Sequence, residues 1–163
     1  MFKVDHTGKE TVLYSFTNKS DGGLPEGPLV QDAMGKLYGV ANLGGENCGV
    51  VFQLNKKGKE TVLYTFKGVP DGCQPVGGLD RDKAGNLYGV TPGGGSGSAC
   101  GSNGCGTVFE VDKSGSETLL HSFTGGSDGL FPNDGMFMDK AGNLFGTASF
   151  GGDCCGVVFK LTP

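Results

Sequence analysis

Short runs of Val, Leu, Tyr, Phe and Thr alternate along the chain with clusters of Gly, Asn, Asp and Pro, and no stretch spaces its apolar residues as one face of a helix does. Runs of this length bounded by turn formers predict strands. The chain is therefore expected to be all-β, with essentially no helix. The pattern also recurs at fixed intervals. Phe2, Phe52, Phe109 and Phe159 each sit in an apolar tetrad (MFKV, VFQL, VFEV, VFKL) at offsets of 50, 57 and 50 residues. The first two of those offsets relate Thr11–Phe16 to Thr61–Phe66 and Thr118–Phe123, and Gly35–Gly39 to Gly85–Gly89 and Gly142–Gly146.

Each unit reads as four strands. The first two form a hairpin around Asp32–Lys36 and its equivalents at Asp82 and Asp139, and the last two a hairpin around Asp5–Lys9, Asn55–Lys59 and Asp112–Ser116. In both turns a Gly can take the left-handed conformation while the Asp or Asn bonds nearby N–H groups. A four-stranded meander repeated about every 50 residues predicts a β-propeller blade, because one twisted sheet cannot bury both faces alone but can stack on its neighbours. Residues 1–163 form a single repeat domain, with units at about 1–50, 51–107 and 108–156 and a last strand at 157–163. Phe52, Phe109 and Phe159, Leu37, Leu87 and Leu144, and Tyr14, Tyr38, Tyr64 and Tyr88 are expected to pack between blades.

The succession Cys-Gly-Val-Val-Phe-Gln-Leu, Lys-Glu-Thr-Val-Leu-Tyr, Asp-Gly-x-x-Pro and Ala-Gly-Asn-Leu-Tyr-Gly-Val resembles the GloVer (Gloeo_Verruco) tandem repeat over nearly the whole chain. That resemblance implies a bacterial extracellular or cell-surface repeat protein of propeller architecture. The middle unit departs from the pattern: its segment Thr91–Gly106 is seven residues longer than its counterparts.

Composition narrows the function classes. The chain holds 33 Gly, no Trp, a net charge of -4 and a single arginine, Arg81, so it lacks the clustered cations that phosphate backbones require. Its lysines lie mostly in turns. No run approaches the ~18 apolar residues of a membrane-spanning helix, and Met1–His6 has no charged head followed by an apolar segment. Neither nucleic acid nor a membrane span is expected.

Two loop types should share one end of the propeller: those joining strands two and three (44–49, 92–106, 151–156) and those linking blades (17–27, 67–77, 124–135). They carry the length differences, so that end is the candidate binding face. Its regular polar signal is Asp-Gly-x-x-Pro at Asp21, Asp71 and Asp128. Each Asp suits a capped turn; convergence of the three on a cation is the other option, but one carboxylate per blade is thin ligation and no metal or cofactor is assigned. All six cysteines, Cys48, Cys73, Cys100, Cys105, Cys154 and Cys155, fall in the same loops. An even count among Gly-rich loops predicts disulfides and an extracytoplasmic location, whereas zinc would want Cys-x-x-Cys pairs or nearby His. Cys100 with Cys105 closes the inserted loop and Cys48 with Cys73 joins two loop types. Cys154 and Cys155 are left to pair with each other, stay free or bridge to another chain.

His6 lies in a turn, and His121 takes a strand position filled by Tyr14 and Tyr64, which suits packing better than proton transfer. No nucleophile elbow, paired carboxylate, zinc spacing or phosphate loop occurs. The expected function is thus a non-catalytic structural or binding module; the alternatives are a propeller-fold lyase or hydrolase and a lectin-like carbohydrate-binding domain using the loop-rich face. Three blades cannot close a propeller. The C-terminal unit has strands one to three, and the N-terminus holds a spare fourth strand, so subunits are expected to join head to tail by strand donation, as a six-bladed dimer or an open fibre.

Overall fold

The computed structural model describes residues 1–163. Thirteen strands follow in order: β1 (Phe2–Val4), β2 (Glu10–Val12), β3 (Gly23–Gln31), β4 (Leu37–Leu43), β5 (Val50–Leu54), β6 (Glu60–Thr65), β7 (Val76–Arg81), β8 (Leu87–Thr91), β9 (Thr107–Val111), β10 (Glu117–Ser122), β11 (Phe137–Met138), β12 (Leu144–Ala148) and β13 (Val157–Leu161). They form four antiparallel sheets: a half-blade β1-β2, full blades β3-β4-β5-β6 and β7-β8-β9-β10, and a three-stranded terminal blade β11-β12-β13. Strand one is the inner one, and β7 packs beside both β3 and β11. Sequence units and sheets are therefore out of phase: each unit supplies strands three and four of one blade and strands one and two of the next.

The hairpins form for the reasons the sequence gives. Asp5 Oδ1 accepts the N–H groups of Thr7 and Lys9, and Asn55 Oδ1 those of Lys57 and Lys59. In the other turn Asp32, Asp82 and Asp139 accept from Lys36, Asn86 and Asn143. Such Asp- or Asn-capped turns fix the register on either side.

Between blades the same aromatic contact occurs three times. Phe16 meets Phe52 edge-on at 5.0 Å, Phe66 meets Phe109 at 4.9 Å and Phe123 meets Phe159 at 5.2 Å. Each third-strand ring lies over a glycine of strand two. A Cβ on Gly89 would stand 2.5 Å from Phe109 Cζ, and Gly39 and Gly146 face Phe52 and Phe159 in the same way. The Leu-Tyr-Gly and Leu-Phe-Gly motifs thus leave room for a neighbour's ring. Nearer the axis, a Cβ on Gly27 would overlap the backbone of Gly78, and one on Gly77 the backbone of Gly135.

The inserted loop contains a short 3-10 segment, Ser98–Asn103, where no helix was expected. Inner strands are unequal: β3 runs nine residues and carries a bulge between Glu26 and Val30, whereas β11 has only two.

Burial separates the internal faces from the outer ones. Val51 and Val108 are fully buried, yet their equivalent in the terminal blade, Val158, is 79% exposed. Phe52 and Phe109 are likewise fully buried, while their equivalent Phe2 is 62% exposed. Phe137 and Val4 lie exposed beside them on the same two outer faces.

Candidate binding face and blade junctions

The two loop types do meet at one end. Cys48 O accepts the N–H of Gln74, Cys73 bridges Gly93, Cys105 O accepts the N–H of Phe131, and Leu130 bridges Phe150. Cys48, Cys105 and Cys155 are equivalent positions, and each is linked differently: Cys48 to Cys73 across two blades, Cys105 to Cys100 within the inserted loop, and Cys155 to adjacent Cys154. A cleft of about 240 Å³ opens on this end beside Cys48, Val69, Cys73 and Asn103.

The carboxylates of Asp-Gly-x-x-Pro are spent locally. Asp21 Oδ2 accepts the Tyr14 hydroxyl at 3.0 Å and the Thr17 N–H at 2.8 Å, and Oδ1 accepts the Thr17 hydroxyl. Asp128 repeats this arrangement with Thr124, and with His121 Nε2 at 3.2 Å in place of the tyrosine. Asp71 takes the Tyr64 hydroxyl at 2.9 Å and the Lys67 N–H, but residue 67 has no hydroxyl, and Asp71 Oδ1 is left buried without a partner. Asp21, Asp71 and Asp128 each cap their own interblade loop, and no group of three or more His, Cys, Asp or Glu side chains is placed to hold a metal. His121 keeps the packing role of the tyrosines, edge-on to Phe123 at 4.8 Å.

A second set of carboxylates joins these junctions. Glu10, Glu60 and Glu117 open the fourth strands at offsets of 50 and 57. Burial and then Asp21 raise Glu60; burial and then Asp71 push Glu117 up to about 7. One oxygen of each, Oε1, is buried without a partner. Burial also raises Asp71, outweighing the Lys67 N–H and the Tyr64 hydroxyl, and burial followed by the Asp71 bond raises Tyr64. Asp21 differs: burial works against its ionised form, but the Thr17 and Tyr14 bonds prevail and hold it low, and at Asp128 Thr124 and His121 do the same. The first two junctions therefore each pair an interblade Asp with a Glu from the following blade. The regular recurrence of Lys-Glu-Thr and Ser-Glu-Thr was the signal for these glutamates; a repeated surface-type residue reads as a solvated one until the sheets are assembled.

The larger cleft, about 670 Å³, is on the opposite, hairpin end, between Asp80–Ala84 and Met138–Gly142. It arises from a break in the repeat. At the preceding junction Arg81 reaches over the Tyr38 ring at 5.6 Å, whereas its equivalent at this one is Met138. Asp80, equivalent to Val30 and Phe137, accepts the Met138 N–H at 2.7 Å and ties β7 to β11.

Stacked four-stranded meanders with inner strands side by side define a propeller-type β protein. The chain belongs to the Gloeobacter/Verrucomicrobia repeat family, which it matches over residues 1–159. No curated relative matches it. Among solved structures it is similar to the X-ray structure of a protein provisionally named a gluconolactonase, with 18% identity and a TM-score of 0.52, covering 98% of this chain and 55% of that one. At that identity the likeness concerns the fold alone, and the chain spans about half the length of the solved structure it matches. No helix is long and apolar enough to cross a membrane.

Proposed function

We propose that this chain is a non-catalytic, extracellular structural module that assembles with copies of itself by exchanging strands. The observation that carries this is the pair of outer faces: Val158 and Phe2 lie open where their equivalents in the two complete blades, Val51 and Val108, Phe52 and Phe109, are fully buried. The two faces are complementary by repeat equivalence. Val51 and Tyr38 share a core with Leu79, Leu87 and Phe109 of the following blade, and Val158 and Phe145 are poised to do the same against Leu29, Leu37 and Phe52 of a second copy.

The strands match as well. β1 pairs β2 through Phe2↔Val12, Lys3↔Thr11 and Val4↔Glu10. β5 pairs β6 through Phe52↔Val62, Gln53↔Thr61 and Leu54↔Glu60. β13 carries Phe159-Lys160-Leu161 at the same places, so it can replace β1 like for like. The three-residue pairing of β1 yields more readily than the five-residue pairing of β13 with β12. β2 of one copy then becomes the fourth strand of the other's terminal blade. Two copies make six blades, in keeping with a similar structure about twice as long; an open fibre results where the rotation does not close. Three disulfides on one face suit an oxidising compartment.

Val158→Asp places an unpaired charge in the contact and is expected to leave a folded monomer by light scattering after size exclusion; unchanged association overturns the face assignment. A hydrolase and lactonase panel with a glycan-binding screen tests the non-catalytic part. Turnover abolished by changing one carboxylate overturns it, and glycan capture at the loop-rich face assigns a ligand to the module.

A further inference from the structure

We propose that Glu10 of a second copy docks beside His121 and Asp128, making this corner a His–Asp–Glu site shared by two subunits, where the two corners completed within one chain are Tyr–Asp–Glu. This rests on the strand exchange above and deepens it, because it names the residues that distinguish the intersubunit contact.

Repeat equivalence locates the site. Within the chain, Tyr14 and Asp21 face Glu60, and Tyr64 and Asp71 face Glu117; in both cases the Glu comes from the fourth strand of the next blade. His121 and Asp128 form the third such corner. The terminal blade ends at β13 and holds no fourth strand, so this corner has no glutamate. The residue equivalent to Glu60 and Glu117 is Glu10, exposed on β2. Placed on β13 in the β5-β6 register, β2 brings Glu10 opposite Leu161, as Glu60 stands opposite Leu54.

The substitution of His for Tyr occurs at this corner and at neither of the other two. At the internal corners two carboxylates share a poorly solvated space with a neutral phenol, and a glutamate is raised in consequence. At the third corner an imidazole can take up a proton and offset both carboxylates. Asp128 is the charged group in contact with His121. The inserted loop brings only uncharged groups, Ser96 bonded to Ser122 and the Cys100–Cys105 disulfide. Glu117, on the same strand, faces Asp71 across the preceding junction, and Lys160 of the terminal blade lies over Phe145. The arriving Glu10 thus favours protonated His121, so assembly binds protons and weakens as pH rises.

The test is sedimentation equilibrium of the full chain at pH 6, 7 and 8, beside Glu10→Gln and Glu10→Lys, both at a solvent-exposed position in the free subunit. The wild type is expected to associate roughly tenfold more weakly per junction at pH 8 than at pH 6, from about half a proton taken up per junction averaged over that range. Glu10→Gln should flatten that dependence, and Glu10→Lys should invert it, since a lysine disfavours protonated His121. Association with the same pH dependence in all three overturns the junction and leaves strand exchange standing. No association of the wild type at any pH overturns strand exchange itself.

Discussion

Replacing Glu117 by Gln should stabilise the fold at high pH and do little at low pH. Burial and the neighbouring Asp71 push this carboxyl up to about 7 from the ordinary 4.5. Its folded-state value lies above its unfolded one, so its contribution is fully present below about pH 4.5 and is lost as pH rises through 7. Above pH 7 the charge must be held beside Asp71 with one oxygen, Oε1, unpartnered. At about 1.4 kcal/mol per pH unit the gap sets a ceiling near 3 kcal/mol, and partial exposure to solvent reduces the expected cost to about 1–2 kcal/mol. A neutral amide escapes that cost. Urea unfolding at one fixed protein concentration, at pH 4, 5, 6, 7 and 8, should show Glu117→Gln and wild type nearly equal at pH 4, with the variant drawing ahead as pH rises and leading by that margin at pH 8. A difference that does not vary with pH, or that favours the wild type at pH 8, refutes the carboxylate pairing across blades.

Four further outcomes are expected. Gly89→Ala puts a Cβ 2.5 Å from Phe109 Cζ and should cost about 1–3 kcal/mol in urea unfolding, while Phe109→Ala, at a fully buried ring, should cost about 3–5 kcal/mol; a loss under about 1 kcal/mol for the latter contradicts the blade packing. Lys67→Thr supplies the hydroxyl that Thr17 and Thr124 give to their aspartates, so it should satisfy Asp71 Oδ1 and raise stability by about 1 kcal/mol at pH 7. Replacing Cys48 and Cys73 together by Ser opens a 25-residue loop between two blades and should cost about 3 kcal/mol, read against the wild type under non-reducing conditions.

Much of this fold is legible in the sequence because the repeat does the work of an alignment. Phe52, Phe109 and Phe159, and the Asp and Gly of each hairpin, announce strand order and turns by recurring at fixed offsets. The cysteine pairs Cys48–Cys73 and Cys100–Cys105 were legible from the loops they fall in, while the fate of Cys154 and Cys155 stayed open until the structure joined them to each other. What stayed hidden is whatever depends on the space between blades. Glu60 and Glu117 look like exposed strand residues, and only stacking puts them in reach of Asp21 and Asp71. Asp80 and Arg81 break the repeat visibly, yet the cleft their replacement by Phe137 and Met138 leaves at the next junction appears only once β7 and β11 lie side by side. The inserted loop showed its length but not its 3-10 turn, since Gly and Ser specify little by themselves.

Mass in solution tests the central claim most directly. Light scattering after size exclusion should give the 163-residue chain about twice its 16.7 kDa, or a larger multiple for a fibre, with that mass lost when residues 1–16, including β2, are removed. A stable particle of 16.7 kDa, the same with and without the deletion apart from the residues removed, contradicts assembly by strand exchange.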